Sequence, residues 1–439
     1  MKIKNYTKVF LFVVAAALFS CSSSEDGGNG DGNGNGNGGP NSITVNASSF
    51  FVDLGESVTF TVATNEGDDV TSQSTFYVNG DPISGTTYTA TSTGSFSITA
   101  KYEDLTSSAI TVQFLAVVES ISMTVNNTAL NLGDRIEYTV MATDTQGNEF
   151  NVTNVANIYI NDQQSVTGGV YIPDATGDYN AYAAYETFTT ETISVTVADN
   201  AVTPASYNRR ALVEDYTGDW CGYCTRVSVA IEMVQEASDD VVVVATHLFN
   251  GDPYQNQYGV EMSNHLGITG LPTAYVNRQE EWNFPETNNV DQVTDKAEGT
   301  IGSGLAINST IKANNLSFMV SVGFSENLNG SKLVVFLLEN GLVLSQANYY
   351  PEYYGGQNPV PNFVHNHVLR HSFTNVLGDA IPAGQAVANN TYRVKYDYTV
   401  PSGNIGNPAN LEIVAMLVNS SNAIINVNKA SANSHAAFD

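Results

Sequence analysis

Cys221 and Cys224 stand three positions apart in the run Val-Glu-Asp-Tyr-Thr-Gly-Asp-Trp-Cys-Gly-Tyr-Cys that ends at residue 224. Dithiol–disulfide exchange needs one exposed, acidic thiol to attack and a second thiol nearby to resolve the mixed disulfide. The spacing supplies both if a helix starts at the pair. Val227, Ile231 and Val234 recur at i, i+4 and i+7, so one helical face is buried and Cys221 is expected at the helix N-terminus. Unpaired N–H groups and the helix dipole would favour its thiolate there. Cys224, one turn on, is expected to be the recessed resolving thiol. A purely structural disulfide is the plainer alternative, although a loop this short restricts the unfolded chain little. Trp220 and Tyr223 are most simply packing at the rim of the sulfur, and a substrate arriving there would touch them.

The elements needed to position the pair follow in order. Ala211–Val213 reads as a short apolar strand before it, and 241–249 (Val-Val-Val-Val-Ala-Thr-His-Leu-Phe) as a buried parallel strand after it. A short helix is expected around 259–266 and a closing helix over 290–298. Strand, Cys-x-x-Cys helix, strand and the Gly-Leu-Pro-Thr run at 270–273 resemble the thioredoxin superfamily. The resemblance implies a cis-proline at Pro272, preceded by Leu271, presenting backbone to a bound substrate. It also implies that Asp215, six residues before Cys221, is the buried acid that moves the proton of the second cysteine, unless neighbouring Glu214 takes that place. The activity implied is thiol–disulfide exchange on extracytoplasmic protein thiols or disulfides, with Cys221 attacking, Cys224 resolving and no cofactor. The Gly-Tyr pair between the cysteines resembles that of periplasmic disulfide isomerases. A different class also fits: a non-enzymatic surface binding protein whose thioredoxin-like scaffold presents loops.

Composition narrows the field. The formal net charge is −28, and removal of a leader carrying Lys2, Lys4 and Lys8 takes it to −31. So acidic a chain binds nucleic acid poorly and is repelled by anionic membrane surface. Three cysteines cannot form a four-cysteine zinc site, and Thr225 stands where a c-type haem motif needs histidine. His365 and His367 would share a strand face, but no third ligand is in evidence, so no metal is expected. His247, on an apolar strand, reads as a core or sheet-end histidine.

The chain begins with a basic end and a short apolar core, Val9 to Leu18, too short to remain as a membrane span. Leu18-Phe19-Ser20-Cys21 resembles a bacterial lipobox, which implies a leader over 1–20 and lipidation of Cys21. The expected location is therefore the outer membrane, lipid-anchored, and Ser22 to Asp26 resembles the tags that carry such lipoproteins to the cell surface. Residues 21–42, rich in Gly and Asn, are expected to serve as a flexible tether.

A repeat follows. Leu54-Gly55-Glu56 recurs as Leu132-Gly133-Asp134, and Phe76-Tyr77-Val78-Asn79 as Ile158-Tyr159-Ile160-Asn161. Alternating short strands with Gly and Asn turns suit two Ig-like β-sandwiches, over 43–116 and 119–198. The expected architecture is completed by a thioredoxin-like α/β domain over 207–299 and a C-terminal β-sandwich over 301–439. In the last, a tyrosine-rich loop at 349–356 reads either as a binding patch or as packing. The 221–224 motif together with a downstream His-Asn-His-Val-Leu-Arg segment resembles the Omp-twenty-eight-related outer-membrane lipoproteins of Bacteroidetes, over 207–439.

Overall fold

The computed structural model describes residues 40–165, 168–200, 202–312, 314–401, 403 and 405–439. Its first compact unit ends at Ala116, and the second runs from Val117 to Asp439.

The repeat becomes a repeated sandwich. In the first unit, Ile43–Ala47, Val58–Thr64 and Thr87–Tyr88 form one sheet. Phe51–Asp53, Ile110–Leu115, Gly94–Tyr102, Thr75–Val78 and Asp81–Pro82 form the other. Alternation along Val58–Thr64 buries Val58, Phe60 and Val62 between the sheets. The second unit opens with the same arrangement. Its Ala129–Asn131 pairs parallel with Ile193–Ala198, as Phe51–Asp53 does with Ile110–Leu115. Gly55 and Gly133 take φ of 93° and 106° at the turn that follows, a conformation open to glycine, which explains the repeated Leu-Gly. These Ig-like folds agree with the sequence reading.

The rest of the second unit carries the cysteines. Its elements are β1 (Ala211–Thr217), α1 (Thr225–Ala237), β2 (Val241–His247), α2 (Gln257–Leu266), β3 (Thr273–Val276) and β4 (Glu280–Glu281). Then come α3 (Asp291–Thr294), β5 (Ser303–Lys312), β6 (Asn315–Phe324), β7 (Lys332–Glu339), β8 (Leu342–Gln346), β9 (Val360–His365), β10 (Val368–Ser372), β11 (Asn390–Thr399), β12 (Leu411–Val418) and β13 (Ile424–Ser431). β1 and β2 are parallel and β3 runs antiparallel to β1. The expected closing helix is shorter than 290–298, ending as α3 with a 3-10 turn over Asp295–Ala297.

The expected boundary at 299/301 does not separate two sheets. One sheet runs β4-β3-β1-β2-β10-β7-β12-β13, with Asp379–Ala380 added beside β7. The structure is dominated by strands, with α-helix in three segments among the described residues, so residues 207–299 are not an independent α/β domain. The reason lies in burial. On β7, Leu333, Val335 and Leu337 face β5 and β6 in one core. Val334, Phe336 and Leu338 face away, into a core shared with Leu212, Tyr216, Val242, Val244 and Met262 of β1, β2 and α2. Strands buried on both faces read as continuous apolar runs, which is the pattern of β7 and β12. The opposite face of β1 and β2, with Val213 and Val243, is closed by Val227, Ile231 and Val234 of α1 and by Trp282.

Candidate functional site

Cys221 and Cys224 form a disulfide with their Cα atoms 5.4 Å apart. The chain leaves β1 and turns, with Cys221 N donating to Gly218 O (3.0 Å) and Cys224 N to Cys221 O (3.1 Å). Only then does α1 begin, with Cys224 at its N-cap and Val227 N and Ser228 N donating to Cys224 O. The sequence reading put Cys221 at the helix N-terminus, but the first helical residue is Thr225, so Cys221 sits in the preceding turn and Cys224 at the helix end. Trp220 Nε1 donates to the carbonyls of Leu248 (3.0 Å) and Phe249 (3.1 Å), fixing the turn to the end of β2. Asp252 completes that junction by accepting from Asp219 N (2.8 Å) and pairing with His247 Nδ1 (2.8 Å).

An exposed attacking thiol was expected at Cys221; instead Cys221 is 3% exposed and Cys224 1%. The cover is the strap Gln346–Tyr350, where β8 leaves its hairpin with β9. Ala347 N donates to Asp219 O and Tyr349 N to Gly222 O, both at 2.8 Å. Gln346 Nε2 donates to Gly218 O (3.1 Å) and Cys221 O (3.0 Å). Thr225 Oγ1 and Asn348 Oδ1 are hydrogen-bonded at 2.9 Å, the hydroxyl donating. A Cβ at Gly222 would lie 2.5 Å from the Tyr349 ring, so the glycine between the cysteines is what admits the strap. Tyr223 packs edge-on against Tyr349 and Tyr350, with ring centroids 5.1 and 5.9 Å away. The tyrosine-rich loop is therefore packing against this turn. Tyr350 OH accepts from Arg226 Nη1 (2.7 Å), and the Arg226 guanidinium is ion-paired with buried Glu286.

Alternation on β1 separates the two candidate acids. Glu214 faces the core away from α1 and pairs with Arg278 (Nη2–Oε1 2.8 Å), both side chains buried. Asp215 faces α1, beneath the turn. Burial, with the nearby Glu286 charge, pushes its carboxyl up to about 8, and Oδ1 has no hydrogen-bond partner. It lines a cavity of about 90 Å³ with Ser228, Gln235, Gln346, His247, His365 and His367. His365 and His367 do not share a strand face. The strand ends at His365, and His367 takes φ of 58°. The His367 ring lies 3.4 Å from Glu412 through Nδ1 and 3.1 Å from Gln235 through Nε2. The His365 ring packs edge-on against His247 (5.1 Å), and its buried Nε2 is without a partner. Burial and the neighbouring His247 hold His365 down at about 4. Among the described residues no group of three or more His, Cys, Asp or Glu side chains is arranged to hold a metal ion.

Leu271–Pro272 is a cis peptide. The β1–β3 register pairs Tyr216 with Thr273, so the proline loop stands beside Thr217, at the end of β1 that leads into the cysteine turn. Leu271, partly buried, packs on the core that holds Tyr216 and Met262. The structure thus gathers Trp220, Cys221, Tyr223 and Cys224 in one turn, with Asp215 below and Leu271–Pro272 at the same sheet end. Cys21 lies outside the described residues. The sequence singles out Tyr349 within the tyrosine-rich loop, but not that it and Gln346, over a hundred residues from Cys221, close over the cysteine turn.

The profile of the family Outer membrane protein Omp28 matches residues 260–436, under half of the chain. Among solved structures, HBP35 of Porphyromonas gingivalis is 21% identical, with a TM-score of 0.42, over 52% of this chain and 76% of that one. The adhesin InvE of Yersinia pseudotuberculosis is 17% identical, with a TM-score of 0.22, over 35% of this chain and 58% of that one. Fibronectin(III)-like modules of Clostridium thermocellum CbhA are 13% identical, with a TM-score of 0.19, over 35% and 93%. No curated protein matches the chain. Among the described residues no helix is long and apolar enough to cross a membrane. The matched family supports an outer-membrane location for this chain, as the leader had suggested.

Proposed function

We propose that this chain is a lipid-anchored outer-membrane protein whose residues 207–299 are a thioredoxin-like unit, built into a larger β-structure, that exchanges disulfides with extracytoplasmic proteins. The observation that carries the reading is the Cys221–Cys224 disulfide at the head of α1, above buried Asp215. Parallel β1 and β2 joined by α1, then α2 leading to antiparallel β3 and β4 and on to α3, is the order a thioredoxin-like unit requires. The cis Leu271–Pro272 bond at the same sheet end fits that resemblance.

In the dithiol form, the Cys221 thiolate attacks a client disulfide. One client sulfur leaves as thiolate and a Cys221–client disulfide forms. Cys224, deprotonated, then attacks the Cys221 sulfur, closing the Cys221–Cys224 disulfide and releasing the second client thiolate, so two electrons pass to the client. The reverse sequence oxidises a client dithiol. Asp215, beneath the helix end, is the group that accepts or returns the Cys224 proton.

Cys224→Ser removes the resolving thiol and leaves Cys221 able to attack. Non-reducing gels of cells carrying it are expected to show reductant-sensitive client adducts, with none in Cys221→Ser cells. Adducts formed equally through either cysteine would defeat the assignment of Cys221. The covered disulfide favours a second reading, a non-enzymatic surface binding protein in which the pair is structural. Absence of adducts from both variants would establish that one.

A further inference from the structure

The strap occupies main-chain carbonyls of the cysteine turn that a peptide laid over the turn could also use. Ala347 and Tyr349, alternate residues of the strap, donate their amides to the Asp219 and Gly222 carbonyls on either side of Cys221. Pairing of an extended peptide through its backbone gives affinity without regard to sequence, and side chains at alternate positions give selectivity. Here Tyr349 lies on the bare Gly222 and against Tyr223, and Gln346 spans the Gly218 and Cys221 carbonyls.

Two features suit the strap to leaving. Its hold on the turn is mainly polar, through buried Gln346 and Asn348, and polar groups can re-pair with water on opening, while Tyr349 is already 57% exposed. It also keeps its own shape: Asn348 Nδ2 lies 3.0–3.1 Å from the carbonyls of Tyr350, Tyr353 and Gln357, so the segment can lift as one piece.

We propose that Gln346–Tyr350 is a built-in stand-in for the client, which closes the Cys221–Cys224 disulfide until it is displaced by an extended peptide segment bearing an aromatic side chain at the Tyr349 position. This rests on the exchange reading for its purpose, but the opening and the peptide surface are tested without exchange activity.

In the unaltered full chain, hydrogen exchange of the Ala347 and Tyr349 amides is expected to be at least 100-fold faster than that of Val335 and Phe336 in β7. Equal protection would overturn the proposal without any variant being made. The double variant Gln346→Ala, Tyr349→Ala is expected to have its disulfide reduced by dithiothreitol at least tenfold faster than the parent, scored by alkylation and mass. An unchanged rate would likewise overturn it. A labelled peptide of residues 344–352 is expected to bind the double variant at least tenfold more tightly than the parent. Faster reduction without peptide binding would overturn the stand-in role. Opening and peptide binding together, with no adducts in Cys224→Ser cells, would leave a peptide-binding surface and remove the exchange chemistry.

Discussion

Asp215 and Glu214 are neighbours in sequence with opposite fates. Glu214 is paired with Arg278 on one face of β1, while Asp215 faces the cavity under α1. Burial, with Glu286 nearby, raises the Asp215 carboxyl from its ordinary 3.8 to about 8. The folded state therefore holds a proton that the unfolded chain gives up near pH 4. Stability from this group is full below pH 4 and is lost as pH rises toward 8. Asp215→Asn keeps the shape and removes the titration. It is expected to raise stability at pH 8 by a few kcal/mol, on the order of what one pKa unit contributes times the shift, with the gain shrinking toward pH 4. Denaturant unfolding of parent and variant between pH 4 and 8.5 checks it; a gain independent of pH would exclude Asp215 as the titrating group. The residue types of this site were legible in the sequence, because Cys-x-x-Cys spacing, an acid six residues earlier and a Gly-Leu-Pro-Thr run are local signals. The choice between Asp215 and Glu214 was not, since it depends on which face of β1 meets α1. The burial of Cys221 was not legible either, because its cover comes from Gln346 and Tyr349.

Element order was legible along β1, α1 and β2, where apolar runs and a helical repeat are strong. One sheet crosses the expected boundary at 299/301, for a physical reason. A fully apolar strand such as β7 shows that both of its faces are buried, but not by what. One face of β7 and β12 continues the core that holds Leu212, Tyr216, Val242 and Val244, since the strands lie in one sheet. A fragment of residues 207–299 alone would lose Val334, Phe336, Leu338, Val414 and Met416 from that core, and burial of such a side chain contributes about 1.5–3 kcal/mol. That loss is comparable to the whole stability of an ordinary domain. The fragment is expected to be unfolded or aggregated, and residues 207–439 to melt in one transition. Calorimetry of both decides it, and a cooperative transition from 207–299 alone would show that the shared core is dispensable.

For the whole molecule, the repeat was read from Leu-Gly and Tyr-x-Asn echoes, and the two sandwiches share strand order as the echoes require. The anchor is a sequence inference. Cys21→Ser is expected to move the protein from the membrane pellet to the soluble fraction, since no described helix is suited to span a bilayer. Fractionation that leaves the variant in the pellet at the parent's level would sink the lipidation of Cys21.

The last residues return to where the cysteine-bearing block starts. Asn208 N donates to Asp439 O (2.8 Å), Arg210 Nη1 donates to Asp439 Oδ1 (2.8 Å), and Phe438 packs on Tyr207 with ring centroids 5.5 Å apart. Residues 207–210 and 438–439 are therefore stitched together at one place. A bulky extension at Asp439 would pry at the Arg210 contact, next to the strand that delivers Asp215 and the disulfide.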